Sequence, residues 1–290
     1  MKKLIFLLIS IFLLGGCIHP PISVESYSHS ANRPEQLVAE LKQNFQKHPI
    51  PRSIGVLPFK ESGNEVGLGL AATEFITSNL SLFENLTLID QSYADVLENE
   101  FATYSPSEKR MMLRAEQLVG GQLNVSDGKL QLKADFLPGY LDSPSELARL
   151  EGRSTDFFRL VGEISIKILE KNKIIVTPQI AEQIYKPPTE DLVAYVLYAK
   201  GRRMERLGDA RGAAAAYRAA LKRDPKLKPA KQQLENIQMQ ETGMVETTGV
   251  KPDPLRNEDP IAQPPNTIEE TSVPGLVGNS PVIIEFPLPQ

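Results

Sequence analysis

Four groups of residues in this 290-residue chain have types and spacings that could do chemistry. The first is Gly67-x-Gly69-x-x-Ala72, which follows an expected strand and opens an expected helix, with Asp90 ending the next strand about 20 residues on. Those are parts of a dinucleotide-binding turn. In such a turn the first glycine follows its strand at once, whereas Lys60 to Val66 intervene here. The glycines therefore read as shaping a loop and a helix start, and no cofactor is expected; an anion on the unbonded N–H groups there stays open. The second group is Glu98 and Glu100, a carboxylate pair of the kind that could share acid and base work. Acidic residues close together on an exposed helix are ordinarily a solvated face. The third is a basic cluster: Lys200, Arg202, Arg203, Arg206, Arg211, Arg218, Lys222 and Arg223. Helical spacing gathers several on one face, which would suit an acidic partner segment, an anionic lipid or a cell-wall carboxylate; the plain alternative is a solvated surface. The fourth is Cys17, the only cysteine. It leaves the rest of the chain without a disulfide, a thiolate metal cage or a catalytic thiol. His19, His29 and His48 have no metal-ligand spacing, and there is no G-x-S-x-G, H-E-x-x-H or P-loop pattern. The expectation is a protein that is not an enzyme. With a net charge of -4 there is no signature of nucleic-acid binding either.

Cys17 closes an apolar run, Leu4 to Leu14, that starts behind Lys2 and Lys3. A basic start, an apolar stretch and small residues at a cut site are a secretory signal, and the run is too short to span a bilayer, which takes about 20 apolar residues. Leu14-Gly15-Gly16-Cys17 resembles the lipobox of bacterial lipoproteins. The resemblance implies removal of residues 1–16, a diacylglyceryl thioether on the Cys17 sulfur and an acylated new N-terminus. Ile18, where an aspartate would imply inner-membrane retention, points through the same resemblance to the outer membrane, facing the periplasm. Each buried CH2 of an acyl chain contributes about 0.8 kcal/mol to such an anchor. Residues 17–49 would then be a lipid-anchored tether and a short helix. The part from 18 to 31 could stretch about 45–50 Å from the lipid.

The elements that follow have readable periods. Asn32, Pro34 and Glu35 start a helix carrying Leu37, Leu41 and Phe45. Ser53 to Phe59 is a buried strand, and Leu68, Ala72, Phe75, Ile76 and Leu80 line one face of a helix from about Gly69 to Leu82. Leu86 to Asp90 is a second strand. A helix with Tyr93, Val96, Leu97 and Phe101 comes next, then one over Glu108 to Gln117 capped by Ser107. Leu118 to Val125 is a third strand. Asp127-Gly128 turns it into a strand whose Leu130, Leu132, Ala134 and Phe136 alternate with polar residues. Ser145 to Gly152 pairs with that strand, and a helix with Phe157, Val161, Ile164 and Ile168 closes the unit. The fold class is mixed, α+β to α/β: a mixed sheet with packed helices, then a small all-α unit and a disordered tail. Ile54-Gly55-Val56-Leu57-Pro58-Phe59, the helix with Gly67 and Gly69 near its start, Leu88-Ile89-Asp90, Val119-Gly120-Gly121 and the hairpin before Phe157-Phe158 resemble, in their order, the TolB N-terminal-like and CsgG-like envelope domains. The resemblance covers residues 50–172. It implies a mostly non-catalytic domain of an outer-membrane complex.

Residues 173–188 read as a linker. Over 189–240, Leu197, Gly201, Gly208-Asp209, Ala213, Tyr217, Ala220 and Pro225 resemble a tetratricopeptide repeat of about 34 residues. Lys200 stands where a leucine is usual and Met204 where an aromatic is common. Gly201 and Ala213 are small where two helices touch, Gly208 makes the turn between them, and Pro225 stops the second. A lone helix pair cannot bury its own apolar face, so it must pack on the preceding domain, on a following helix over Pro229 to Met239, or on another protein. Residues 241–290 hold nine prolines and an acidic excess, the composition of a disordered tail. Within it Val282, Ile283, Ile284 and Phe286 form an apolar β-prone run that could add as a strand to a partner's sheet. The acidic tail is also a candidate occupant of the basic face.

The reading is a membrane-anchored periplasmic lipoprotein acting as a non-catalytic adaptor in envelope assembly or secretion. Its expected partners are the membrane, through the lipid on Cys17, and other envelope proteins. Arg202, Arg203, Arg206, Arg211, Arg218 and Lys222 of the repeat, with the tail run, would contact those proteins; an oligomer stays open. The alternative is a subunit of a CsgG-like export channel. A channel needs membrane strands of about 9–11 alternating residues. The one long hairpin, Leu123 to Phe136, is needed by the sheet and carries Lys129, Lys133 and Asp135 on its outer face.

Overall fold

The computed structural model describes residues 33–63 and 67–247. Strand β1 (Ile50–Val56) lies between two parallel neighbours, β3 (Thr87–Leu88) and β4 (Ala115–Ser126), with Ile54 opposite Leu88 and Val56 opposite Val119. A strand flanked on both edges and covered on both faces is apolar without alternation, which is why Ser53 to Phe59 shows none. β4 turns through Asp127 (φ 53°) and Gly128 (φ 70°), a left-handed pair suited to a two-residue hairpin, into β5 (Lys129–Leu137). β5 pairs in turn with β6 (Ser145–Arg153), giving the order β3-β1-β4-β5-β6.

The chain after β1 departs from the expected loop. Lys60–Gly63 forms a strand, β2, that runs parallel to Gln122–Val125 further along the same edge of β4. Its sequence, Lys-Glu-Ser-Gly, has no apolar alternation, so periodicity misses it. Between β1 and β2 the chain kinks inward at Phe59, whose N–H donates to Thr73 Oγ1 at 2.9 Å. The kink needs two bare glycines. A Cβ on Gly121 would lie 2.4 Å from the Phe59 ring, and one on Gly69 would lie 2.1 Å from the Phe59 carbonyl oxygen.

One face of the sheet is covered by α2 (Leu68–Leu80) and α5 (Phe157–Lys171). Val56, Leu123, Leu132 and Ala134 pack there with Phe75, Ile76, Val161 and Ile164 in a continuous core. On the other face α1 (Arg33–Asn44), α3 (Gln91–Glu100) and α4 (Pro106–Met112) bring Leu37, Leu41, Leu97 and Met112 against Ala115, Leu118 and Leu137. That second layer leaves Gln122, Asn124, Gln131, Lys133 and Asp135 half-buried or exposed.

Several boundaries differ from the sequence reading for local reasons. α4 is capped by Ser105, not Ser107: Ser105 Oγ accepts from the Glu108 N–H, and the Glu108 carboxylate accepts from the Ser105 N–H. It ends early because Arg114 takes a left-handed φ of 53°, so β4 begins at Ala115. The expected strand over Leu86 to Asp90 shrinks to β3, since Asp90 is the N-cap of α3, accepting from the Ser92 N–H. The stretch 173–188 holds a helix, α6 (Pro178–Tyr185), capped by Thr177 and seated on the core through Ile184.

The segment that resembles a repeat in sequence is three helices, α7 (Leu192–Arg206), α8 (Ala210–Arg223) and α9 (Lys228–Thr247). α9 continues past Gln240, where the sequence reading starts the tail. Of the three ways for the pair to cover its apolar face, two are used. Leu227, Ala230 and Ile237 close it from below, and Tyr195 and Tyr198 join it to the sheet's own core. Phe75, Phe158 and Tyr195 meet edge to face with ring centres 5.2–6.0 Å apart, and Tyr195, Tyr198 and Tyr217 continue the line at 5.5 and 5.9 Å. Repeat and sheet belong to one compact unit that extends to Met244.

Gly201 lets α7 and α8 approach, because a Cβ there would stand 2.5 Å from the Tyr217 ring. Tyr217 is fully buried and anchored, so it has nowhere to move. Gly201→Ala should therefore destabilise the fold by about 1–3 kcal/mol. For a unit of this size that lowers the thermal midpoint by roughly 2–4 °C per kcal/mol, measurable by calorimetry. An unchanged midpoint would show that the helix contact is looser than described.

Candidate interaction surface

The glycine-flanked start of α2 is already occupied by the protein's own carboxylate. Gly67 has a left-handed φ of 100°, which turns its N–H and that of Gly69 toward Glu61. Glu61 accepts from Gly67 at 2.8 and 2.9 Å and from Gly69 at 2.9 Å. A carboxylate at a helix N-terminus offsets the helix dipole and the unbonded N–H groups together. The side of Gly67 is closed by α7, since a Cβ there would lie 2.6 Å from Val196 Cγ1. The Gly67-x-Gly69 motif thus serves packing, as its sequence distance from β1 implies.

Glu98 is not on a solvated face. It forms an ion pair with Lys109 at 2.7 Å, and the lysine side chain is only 6% exposed. Lys60 approaches the same carboxylate at 4.0 Å. These groups wall a cleft of about 240 Å³ whose other sides include Leu57, Pro58, Gly120 and Pro144.

The basic residues of the repeat divide into two sets. Arg202 and Arg206 follow Tyr195 and Ala199 at i+7 and i+11, on the helix stripe that faces the sheet layer. Arg206 Nη1 meets Glu74 of α2 at 2.8 Å and its Nε meets Asp95 of α3 at 2.8 Å. Arg202 bonds to Glu74 at 3.2 Å and to Glu205 at 3.1 Å, and the Tyr217 hydroxyl donates to Glu205 at 2.5 Å. Arg203 stands 3.8 Å from Asp95 and donates to Asn99 Oδ1 at 2.9 Å. Three guanidinium groups and three carboxylates therefore neutralise one another between α2, α3 and α7. Burial is deep: the Asp95 side chain is 1% exposed, Glu74 11% and Arg206 12%.

This burial sets the protonation energetics. Desolvation raises the Asp95 pKa above the ordinary carboxylate value, and the attraction of Arg206 and Arg203 only partly offsets it. Burial pulls Arg206 downward, but Glu74 and Asp95 outweigh it and hold the guanidinium charged. Desolvation also raises the Tyr217 hydroxyl, helped by Glu205, so it stays a donor.

Arg211, Arg218 and Lys222 behave differently. With Ala215 they lie at i, i+4, i+7 and i+11 on α8, all exposed, opposite the buried stripe of Ala213, Ala216, Tyr217 and Ala220. None of the three has an ion-pair partner among the described residues. Arg223, next to them in sequence, is paired with Asp191 at 2.9 Å. A helical wheel of α7 and α8 separates the two sets, because Arg202 and Arg206 fall on the tyrosine stripe and Arg211, Arg218 and Lys222 do not. Cys17, Val282, Ile283, Ile284 and Phe286 lie outside the described residues. Among the described residues no group of three histidines, cysteines or carboxylates is placed to hold a metal ion, and no helix is long and apolar enough to cross a membrane.

Fold and surface together define a mixed α/β protein with a repeat-like helical unit fixed to its sheet layer and a basic stripe turned outward. No protein-family model and no curated protein matches the chain. Among solved structures it is similar to the C-terminal domain of LpoB from Salmonella enterica, at 11% identity and a TM-score of 0.28, over 43% of this chain and 99% of that one.

Removing Arg206 leaves Asp95 buried with only the longer Arg203 contact. Arg206→Ala should cost about 3–5 kcal/mol of stability at neutral pH. The folded-state pKa of Asp95, already raised, then rises further above its unfolded value. A raised acid is a penalty at high pH that disappears as pH falls through the folded pKa. The stability gap between wild type and variant should therefore narrow between pH 7 and about pH 4, read by urea titration. A gap that is constant or widens over that range would contradict the buried-charge account.

Proposed function

We propose that this chain is a membrane-anchored periplasmic lipoprotein that acts as a non-catalytic adaptor in cell-envelope assembly or secretion. The observation that supports it most is the division of charge in the repeat. Arg202, Arg203 and Arg206 are consumed in holding α7 to the sheet layer, whereas Arg211, Arg218 and Lys222 form an exposed cationic stripe with no ion-pair partner among the described residues. Three cations in a row on a rigid helix, spaced by small Ala215, suit an acidic segment of another envelope protein. The partner contact of the repeat is therefore assigned to Arg211, Arg218 and Lys222. Anchoring is assigned to Cys17 on the lipobox-like sequence, with attachment to the outer membrane, and the tail run Val282 to Phe286 is a second proposed contact.

Two experiments test the parts separately. Fractionation of cells should place the wild-type chain with the outer membrane and Cys17→Ser outside it; a variant that still fractionates with the outer membrane would defeat the lipid anchor. In crosslinking in intact cells, the Arg211→Glu/Arg218→Glu/Lys222→Glu variant should lose partners captured by wild type while keeping the wild-type thermal midpoint, because all three side chains are exposed. Undiminished capture would remove the stripe from the account.

A further inference from the structure

We infer that two copies of this chain pair through their β6 strands, antiparallel and centred on Leu150. β6 ends the sheet, and no strand covers its outer edge among the described residues. The register fixes which of its backbone groups are unsatisfied. The Ser154 N–H bonds to the Gly128 carbonyl at 3.0 Å, across the β5–β6 boundary. Alternation along an antiparallel strand then turns Ala148, Leu150 and Gly152 toward β5 and aims the N–H and C=O of Arg149 and Glu151 at the open edge. The regular stretch is bounded on one side by the register shift between Ala134 and Asp135, which places Leu147 out of step, and on the other by the 3-10 turn at Ser154–Asp156.

A two-fold axis normal to the sheet keeps each side chain on its own face, so residue i meets a residue of the same parity. With the axis on Leu150, Arg149 of each copy falls opposite Glu151 of the other. Four backbone hydrogen bonds and two cross-strand ion pairs result, Leu150 faces Leu150, and Ala148 faces Gly152. No other centre fits the stretch as well. An axis on Arg149 sets that arginine against itself. One on Glu151 sets glutamate against glutamate and Arg149 against Arg153. An axis on Ala148 offers Arg149 only Leu147. One on Gly152 pairs Glu151 with Arg153 but runs the overlap into the 3-10 turn. In the single chain Arg149 meets Glu146 at 2.7 Å, and Glu151 accepts from Gln131 at 3.3 Å. Both are exposed contacts, which are worth little and are readily exchanged. Lys133, directly across from Arg149 on β5, is paired with Asp135 at 3.0 Å.

The test uses the full chain in a nonionic detergent, sedimented at about 1 to 200 μM, the range of weak complexes. The wild type should dimerise with concentration. Arg149→Glu should raise the dimer dissociation constant about tenfold or more, since both ion pairs become repulsions. Arg149→Glu/Glu151→Arg should restore it, which also shows that the strand tolerates the changes. Under mild oxidation Leu150→Cys should form a disulfide dimer, because it would face itself in a non-hydrogen-bonded pair with Cα atoms about 4.5 Å apart. Ala148→Cys, whose copies would be about 13–14 Å apart, should form no more than the unsubstituted chain, which carries the same Cys17. A chain that is monomeric throughout, a dimer indifferent to Arg149→Glu, or crosslinking through Ala148→Cys and not Leu150→Cys would overturn the proposal.

Discussion

Arg206 reaches from the repeat to Glu74 and Asp95 on two helices of the sheet layer, and the outward face of the molecule depends on that reach. The pairing does not make the protein much more stable than an apolar contact would, because three guanidinium groups and three carboxylates give up water to form it. What it does is fix a geometry. Each guanidinium accepts only particular carboxylate positions, so α7 can lie across α2 and α3 at one angle. The aromatic line from Phe158 through Tyr195 to Tyr217 supplies the burial that offsets the desolvation. Packing and charge together turn a helix pair that could not stand alone into a layer of the α/β unit.

Two consequences follow for the surfaces. The inner face of α7 is closed to partners, and the outer face of α8 is held in one orientation with Arg211, Arg218 and Lys222 in solvent. At the end of the sheet β6 keeps a backbone edge with no strand beside it among the described residues. The proposed adaptor role needs more than one contact surface on a rigid frame, and these two are carried by different elements of the same unit. The glycine motif at the start of α2 adds to the rigidity: Glu61 takes the N–H groups of Gly67 and Gly69 that a bound anion would otherwise use.

Much of this was legible in the sequence, and the misses have physical reasons. The order of strands and helices could be read because β1, β4 and β5 have strong apolar patterns and Asp127-Gly128 is an unambiguous turn. β2 could not, since Lys60–Gly63 is held by backbone pairing to β4 and shows no buried side-chain pattern. α6 is not legible as a helix because only Ile184 of its eight residues is buried, which leaves no apolar stripe. The basic cluster is legible as a cluster in which helical spacing gathers several residues on one face, and the structure divides it between an inward and an outward face. Charge makes Arg206 look like surface, yet its position on the stripe of Tyr195 and Ala199 marks it as internal. Glu98 reads as solvated from its own helix, yet its partner Lys109 stands on α4 and covers it. A local period can place such a residue on a buried stripe, but it does not report the partners, which for Arg206 lie on two other helices.

The central claim is that repeat and sheet form a single cooperative body. Native-state hydrogen exchange measures it directly, by comparing the amides of α7 and α8 with those of β4 and β5 under increasing denaturant. The account predicts that the slowest amides of both regions converge on one opening free energy and one denaturant slope. A lower opening free energy for α7 and α8, with β4 and β5 still protected, would mean that the repeat comes away on its own, and the fixed orientation of the basic stripe would go with it.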